Sequence, residues 1–459
     1  MINARKILSA IAIAAISVLG SNVAAQAATI AIWTTTSKSA NVGLSIEPEV
    51  AVNGNVSAVA WMQRTGLQSS KLMVRVLRSG VWGSTETLQT SDWDWWNAFD
   101  VQVSSSGKVY VALQTVDVTM TVFTSSENGI WSTTVVDNNS SNLGAMRVSG
   151  TSNGTLIAFT SSRADSNRLA TLSSYVFDEA NFEAGWSTNP VDTFTPSDFS
   201  PCTIKRGVYD SCAIDSNRSQ LAIAADGTEI LLTDLSRQSP NGLPPGLQFK
   251  LFKYHRANSS TAWISDGAIS TLTLGKNDKG YSFFMSGIAT TSSGAYAVAL
   301  TSGGNNGNTL RIFTGPSFAA TPIAADTAYL SSLGITDSAS IVSFNDSFYV
   351  AFDAKSKHKF GKVGSLSSTT TAMSQATDDQ RVANLLVVGG DIVAVITKPR
   401  SATYLSTRTK TWSTKTKVLN YAGNFSPYNG VAVTDGTNLL LAAPRFEGSR
   451  MNGLYAYTK

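Results

Sequence analysis

An all-β fold built from repeated four-stranded units is predicted for this 459-residue chain by three observations. First, a tryptophan recurs before a short hydroxyl-rich run: Trp33 (WTTT), Trp82 (WGST), Trp131 (WSTT), Trp186 (WSTN), Trp263 (WISD) and Trp412 (WSTK). The steps from 33 to 82 and from 82 to 131 are 49 residues each, and such a period marks a repeat architecture. Second, eight apolar hairpins recur along the chain. Third, the last unit is one strand short, and the other end of the chain carries a segment able to complete it.

The hairpins can be read directly. They are VAVNGNVSAVAW (50–61), VQVSSSGKVYVAL (101–113), MRVSGTSNGTLIAF (146–159) and LAIAADGTEILL (221–232), then IATTSSGAYAVAL (288–300), IVSFNDSFYVAF (341–352), LLVVGGDIVAVI (385–396) and VAVTDGTNLLLAA (431–443). Asn-Gly, Asp-Gly and Gly-Gly tolerate the positive φ of tight turns, so each reads as two short strands joined by one. Between Trp263 and Trp412, Phe318 (FAATP) and Leu366 (LSSTT) keep the period and read as replaced copies. The eighth hairpin is followed by one further strand at 453–458, and Ala31-Ile32-Trp33-Thr34 supplies the missing outer strand. A unit shared between the two ends closes a ring and removes free sheet edges. The reading is a single β-propeller over residues 28–459, of eight four-stranded blades. Seven is the alternative, because the stretch around 216–272 is irregular. The recurrent tryptophans are expected to pack between neighbouring blades, where one large ring buries about 150–250 Å².

Residues 1–27 read as a signal peptide rather than as part of the fold. Arg5 and Lys6 precede an apolar run from Ile7 to Leu19, and Ala25-Gln26-Ala27 is a small-residue cleavage site. The run is shorter than the ~20 residues that span a bilayer. The expectation is a secreted bacterial protein, extracellular or periplasmic, with no membrane span. Removing the leader takes away Arg5 and Lys6 and no acidic residue, lowering the formal +4 by two charges. A balance so near zero argues against a nucleic-acid partner. The charged fraction is 14%, against about 25% in ordinary globular chains, and hydroxyl residues fill the difference. Cys202 and Cys212 are expected to form a disulfide in an oxidising compartment, contributing roughly 3 kcal/mol by restricting the unfolded chain.

Strand order assigns the loops to two ends. With strands a to d running outward from the axis, the turns after a and c fall at one end, and the connections after b and d fall at the other. The longest excursions belong to the second end: 194–216, which carries the cysteines, and 234–247. Basic residues gather in the same set of loops: Arg64, Arg163, Arg168, Arg237, Arg400 and Arg445, with Lys205 and Arg206 on the cysteine-bearing insertion. Aromatic clusters join them, above all SDWDWWNAF (91–99), where Trp93 and Trp95 stand beside Asp92 and Asp94. Flat rings offer stacking surfaces to sugar faces, carboxylates accept hydroxyl hydrogen bonds, and arginine pairs with carboxylate or sulfate. These residues form the candidate ligand-binding set. Long loops on a rigid scaffold are where binding concentrates.

The chemistry of common hydrolases is missing from the pattern. The two histidines, His255 and His358, fall in different units, no G-x-S-x-G elbow occurs, and no metal site or cofactor is expected. His358, in KSKHKF, reads as a basic loop residue. The unit of apolar hairpin followed by Gly-x-Trp-Ser/Thr resembles secreted bacterial β-propellers of the sialidase-like and lectin-like kinds. Sialidases carry S-x-D-x-G-x-x-W boxes. The nearest approach here is Ser125-Ser126-Glu127-Asn128-Gly129-Ile130-Trp131, with Glu for Asp and one residue too few before the tryptophan. The arginine triad and Arg-Ile-Pro start of that family are also missing, so the resemblance supports the fold and speaks against that activity. The functional expectation is a monomeric, non-catalytic binder of a glycan or acidic polymer. A polysaccharide hydrolase or lyase and a protein-interaction scaffold are the alternatives.

Overall fold

The computed structural model describes residues 28–35, 43–44, 48–66, 69–91, 98–114, 120–126, 128–137, 146–150, 155–161, 171–178, 192–193, 221–224, 228–234, 248–258, 261, 264–273, 282–303, 309–329, 339–354, 357–369, 371–373, 380–398, 402–420, 431–447 and 450–459. Strands dominate them, and the helix among the described residues is a single turn, Leu366–Thr369. All eight hairpins read from the sequence are present as antiparallel pairs, for example Val101↔Val111, Ile341↔Val350 and Leu386↔Val393. Each is the inner half of a sheet whose strands follow one another outward from the axis.

The chain is a single all-β propeller. Seven of its sheets are four-stranded blades, which is the alternative count. The remaining sheet, within 43–91, has five strands, because its inner edge is in two pieces. Gly43–Leu44 and Glu49–Asn53 both pair with Val56–Arg64. It takes one place in the ring, its inner strand lying beside Ala98–Val103 on one side and Val431–Thr434 on the other. Val56–Arg64 is buried continuously from Val56 to Met62, as expected of a strand with a sheet packed on each face.

The apolar core lies between successive sheets. Ala58, Ala60 and Val74 of the five-stranded sheet meet Val101, Val111 and Phe123 of the next one. The same arrangement joins Leu231 and Leu251 to Tyr296 and Val298, and Val393 and Val395 to Leu441 and Ala443. Small β-branched residues and alanines suit these faces because the inner strands crowd together near the axis.

Trp82, Trp131 and Trp412 are half-buried beside the turn that leads to each outer strand, and each packs into the cluster shared with the preceding sheet. Phe318 and Leu366 fill the equivalent place and are 1% and 4% exposed, so the replaced copies keep the packing role. Tyr296 meets Phe318 edge to face and donates its hydroxyl to the carbonyl of Ala320 at 2.7 Å. Trp33 departs from the set. It pairs with Leu454 late in its strand and packs towards the following sheet, while the residue at the register of the other copies is Ala28. The 49-residue step from 33 to 82 is therefore not a step between equivalent positions. Trp186 and Trp263 lie outside the described residues.

The ring is closed as expected. Ala28–Thr34 is the outer strand of the last blade, running from Ala28↔Thr458 to Thr34↔Gly453 with a bulge between Ala31 and Trp33. Ile32 is 3% exposed and packs among Val50, Val59, Trp61, Leu440 and Leu454. Arg75 donates from Nη1 to the carbonyls of Ala31 and Ile32 at 3.1 and 3.3 Å, while its Nε holds the Gly83 carbonyl at 2.8 Å. On the other side, the Thr29 hydroxyl donates to the Val418 carbonyl at 2.6 Å. One strand thus bonds to three sheets.

Removing residues 28–36 should uncover the Arg450–Thr458 edge and lower the thermal midpoint or cause aggregation. The milder Ile32→Ala change is expected to cost about 2–4 kcal/mol in denaturant melts, the usual range for emptying a buried aliphatic site. An unchanged midpoint on deletion would contradict the closed ring.

Candidate functional site

The two ends of the propeller differ in how their polar groups are used. At the end carrying the turns after the first and third strands, the turns of the inner hairpins are short. Asn345-Asp346 and Gly389-Gly390 are two-residue turns, and all four residues have positive φ, which fits primed hairpin geometry. Neighbouring turns then bond to one another around the axis. Gly389 N–H donates to the Gly436 carbonyl at 2.8 Å, and the Asn53 amide donates to the Val103 carbonyl at 3.4 Å. Ser292 donates to Asp346 at 3.3 Å. Arg78 reaches from one sheet to the next, donating to the Gly107 carbonyl at 2.7 Å and to the Ser125 hydroxyl at 2.9 Å.

Asp435 is the centre of the turn contact at the seam. Its Oδ2 accepts from Gly54 N–H at 2.7 Å and from the Asn438 side chain at 2.9 Å, and its Oδ1 accepts from the backbone of Thr437 and Asn438. Asn438 also donates to the Gly54 carbonyl at 2.7 Å, so the last blade and the five-stranded sheet are joined by a reciprocal pair of bonds. Partial burial pushes this carboxyl up, but the bonds from Asn438, Thr437 and Gly54 outweigh it and hold the group below the usual carboxylate value.

A titratable group not foreseen from the sequence lies at the same end, on the sheet containing residues 221–273. The Lys253 ammonium is 2.6 Å from Glu229 and 3.8 Å from Asp266, and its side chain is only 10% exposed. His255 Nδ1 lies 2.9 Å from Asp266 Oδ1. Strand alternation puts Lys253 and His255 on one face, and register brings Glu229 opposite His255. One ammonium serves two carboxylates, and Asp266 also orients the imidazole. The signal in the sequence was the K-x-H alternation, but its partners come from two other strands.

At the opposite end two intervals between strands are long, 194–220 and 235–247. Of the expected ligand-binding residues, Arg64 and Arg445 fall on described strands. Arg64 ends Val56–Arg64 opposite Ser70, and Arg445 sits inside Leu439–Glu447 opposite Gly453, so both are strand residues rather than loop residues. Asp92, Trp93, Asp94, Trp95, Arg163, Arg168, Lys205, Arg206, Arg237 and Arg400 lie outside the described residues, as do Cys202 and Cys212. The strands on either side of 92–97 are Val81–Ser91 and Ala98–Val103. His358 is a correction: it stands in the strand Lys357–Lys362, is 6% exposed, and its carbonyl accepts from Met373 N–H. Among the described residues no group of His, Cys, Asp and Glu is arranged to hold a metal ion.

No protein-family model matches the sequence. No curated protein matches it. Among solved structures the chain is similar to polysaccharide lyase Uly1, at 10% identity over 90% of this chain and 89% of that one, with a TM-score of 0.45. It is similar also to the phage phi92 endosialidase, at 11% identity over 94% and 68% of the two chains, with a TM-score of 0.37. A third is the Pyrococcus horikoshii acylaminoacyl peptidase, at 9% identity and a TM-score of 0.39, where 88% of this chain spans 59% of the peptidase.

Two outcomes are expected from these contacts. Because Asp435 titrates lower folded than unfolded, its contribution is present above the ordinary value of 3.8 and is lost as pH falls through the folded value. Asp435→Ala should therefore cost about 1 kcal/mol near neutral pH, discounted for solvent exposure, and little in strong acid. Melts of both proteins across pH would show it, and a pH-independent difference would contradict it. Lys253→Met leaves two carboxylates facing each other, and a loss of about 1–3 kcal/mol is expected in denaturant titration, largely recovered by adding Glu229→Gln.

Proposed function

We propose that this protein is a secreted, non-catalytic propeller that binds a carbohydrate or an acidic cell-surface polymer at its long-connection end. The observation that supports this is the difference between the ends. Turn residues at the hairpin end spend their hydrogen-bonding groups on one another, from Gly389 through Gly436 to Gly54. The other end carries the long intervals and, in the sequence, the clusters of aromatic and basic residues. A rigid ring presenting such loops is suited to holding several weak contacts in register.

In this reading Trp93 and Trp95 stack on sugar faces, with Asp92 and Asp94 accepting from hydroxyls. Arg64, Arg163, Arg168, Lys205, Arg206, Arg237, Arg400 and Arg445 supply a positive rim for carboxylate or sulfate groups. Each exposed charge pair is worth only ~0–1 kcal/mol, so affinity comes from many contacts together. Stacking is not screened by salt and sets the part of affinity that survives at high ionic strength.

A glycan array probed at low and at physiological salt tests the reading. Binding to acidic glycans, weakened by salt and by Trp93→Ala or Trp95→Ala, is expected. No acidic glycan bound at either salt would reject it, and binding indifferent to loss of both tryptophans would place the site elsewhere.

A further inference from the structure

The turn that Asp435 grips at the seam holds an Asn-Gly pair, the sequence in which an asparagine most readily loses its side-chain amide. Glycine has no Cβ, so its backbone nitrogen approaches the preceding side-chain carbonyl unhindered. Asn53-Gly54, Asn128-Gly129 and Asn452-Gly453 are the Asn-Gly pairs among the described residues. We propose that Asn53 is a deamidation site built into the seam, that Asp435 holds it unreacted, and that its conversion loosens the last blade from the five-stranded sheet. This is independent of the ligand reading above.

The step needs only water. The Gly54 nitrogen gives up its proton to solvent base and attacks Asn53 Cγ. The carboxamide nitrogen takes up a proton and leaves as ammonia, and a succinimide ring remains. Water then opens either carbonyl of the ring, its hydroxyl going to the carbon and its proton to the nitrogen. The products are aspartate and isoaspartate, with no redox change. Isoaspartate adds a methylene to the backbone just before Gly54, in a turn of two residues between Asn53 and Val56. That shifts the N–H and the carbonyl that Asp435 and Asn438 hold. Either product also replaces the amide donor facing the Val103 carbonyl with an acceptor.

Every reacting part of the pair is held in the folded protein. Gly54 N–H, in a residue of φ 57°, donates to Asp435 Oδ2 at 2.7 Å. Asp435 is charged at neutral pH, so a carboxylate faces the nitrogen that must itself become an anion. The departing Asn53 amide donates to the Val103 carbonyl, and Asn438 fixes the Gly54 carbonyl at 2.7 Å. The other two pairs are held differently. Asn128 is exposed, and Gly129 N–H donates to the neutral carbonyl of Ser126 at 3.0 Å. Asn452-Gly453 lies inside Arg450–Thr458, with Gly453 opposite both Thr34 and Arg445.

The test incubates the wild type and Asp435→Ala in mildly alkaline buffer and reads amide loss at all three pairs by peptide mass spectrometry. In the wild type, Asn128 should convert well ahead of Asn53. In Asp435→Ala, Asn53 should convert at least ~10-fold faster, the change that one unit in the acidity of the Gly54 amide produces. Asn128 and Asn452 should keep their wild-type rates. Asn452 is the control for folding, because it sits beside the closing ladder and speeds up when that sheet opens. Asp435→Asn keeps an acceptor oxygen and removes the charge; it should give an intermediate rate and replaces the alanine variant if that one fails to fold. Equal Asn53 rates with and without the Asp435 carboxylate overturn the proposal. So does a parallel rise at Asn452, which assigns the effect to opening of the sheet. Protein converted at Asn53, separated by ion exchange, should melt below the unconverted form, and an equal midpoint overturns the link to the seam.

Discussion

Each sheet of a ring buries one apolar face on each of two neighbours, so the whole depends on the seam where the two ends of the chain meet. Here that seam is one strand, Ala28–Thr34, laid against Arg450–Thr458. The strand pairs with the edge of Arg450–Thr458 and adds Ile32 to the cluster around Leu440 and Leu454. It also gives Arg75 two carbonyls that no other segment supplies. The interaction joins the most distant parts of the sequence, which makes it entropically the most costly contact to form. Beside it, Val50, Val52 and Trp61 of the five-stranded sheet share a cluster with Leu440 and Ala442 of the last blade.

The turn contacts reinforce the same seam from the axis. Asp435, Asn438 and Gly54 link the last blade to the five-stranded sheet as Gly389 and Gly436 link the two blades before the seam. The ring is fastened at both its rim and its hub, by the ladder of Ala28–Thr34 and by these turn contacts. At the hairpin end the turns spend polar groups on one another, as Asp435 and Asn438 do on Gly54.

How much of this could be read in the sequence follows from how far apart the interacting residues are. The eight hairpins were legible because Gly, Asn and Asp turns and flanking Val, Ile and Ala act within a dozen residues. The seam was legible because one unit was a strand short. Trp33 misled because spacing is not register: its strand is set by pairing with Leu454, whatever lies 49 residues on. His358 misled because its lysine neighbours hide a strand in a run of charge. The Lys253 group was illegible because Glu229 and Asp266 reach it through register across three strands. The ligand-binding candidates rest on composition of connections, where no periodicity fixes a side chain's direction. They are a set read from composition and not a geometry.

Amide hydrogen exchange at the seam tests the central claim most directly. A closed ring predicts that the amides of 453–458 bonded towards Ala28–Thr34 are protected to the same degree as those of the central strands, exchanging only with global unfolding. Rapid exchange of those amides, beside full protection of Leu440 to Ala443, would show an open edge and contradict the account.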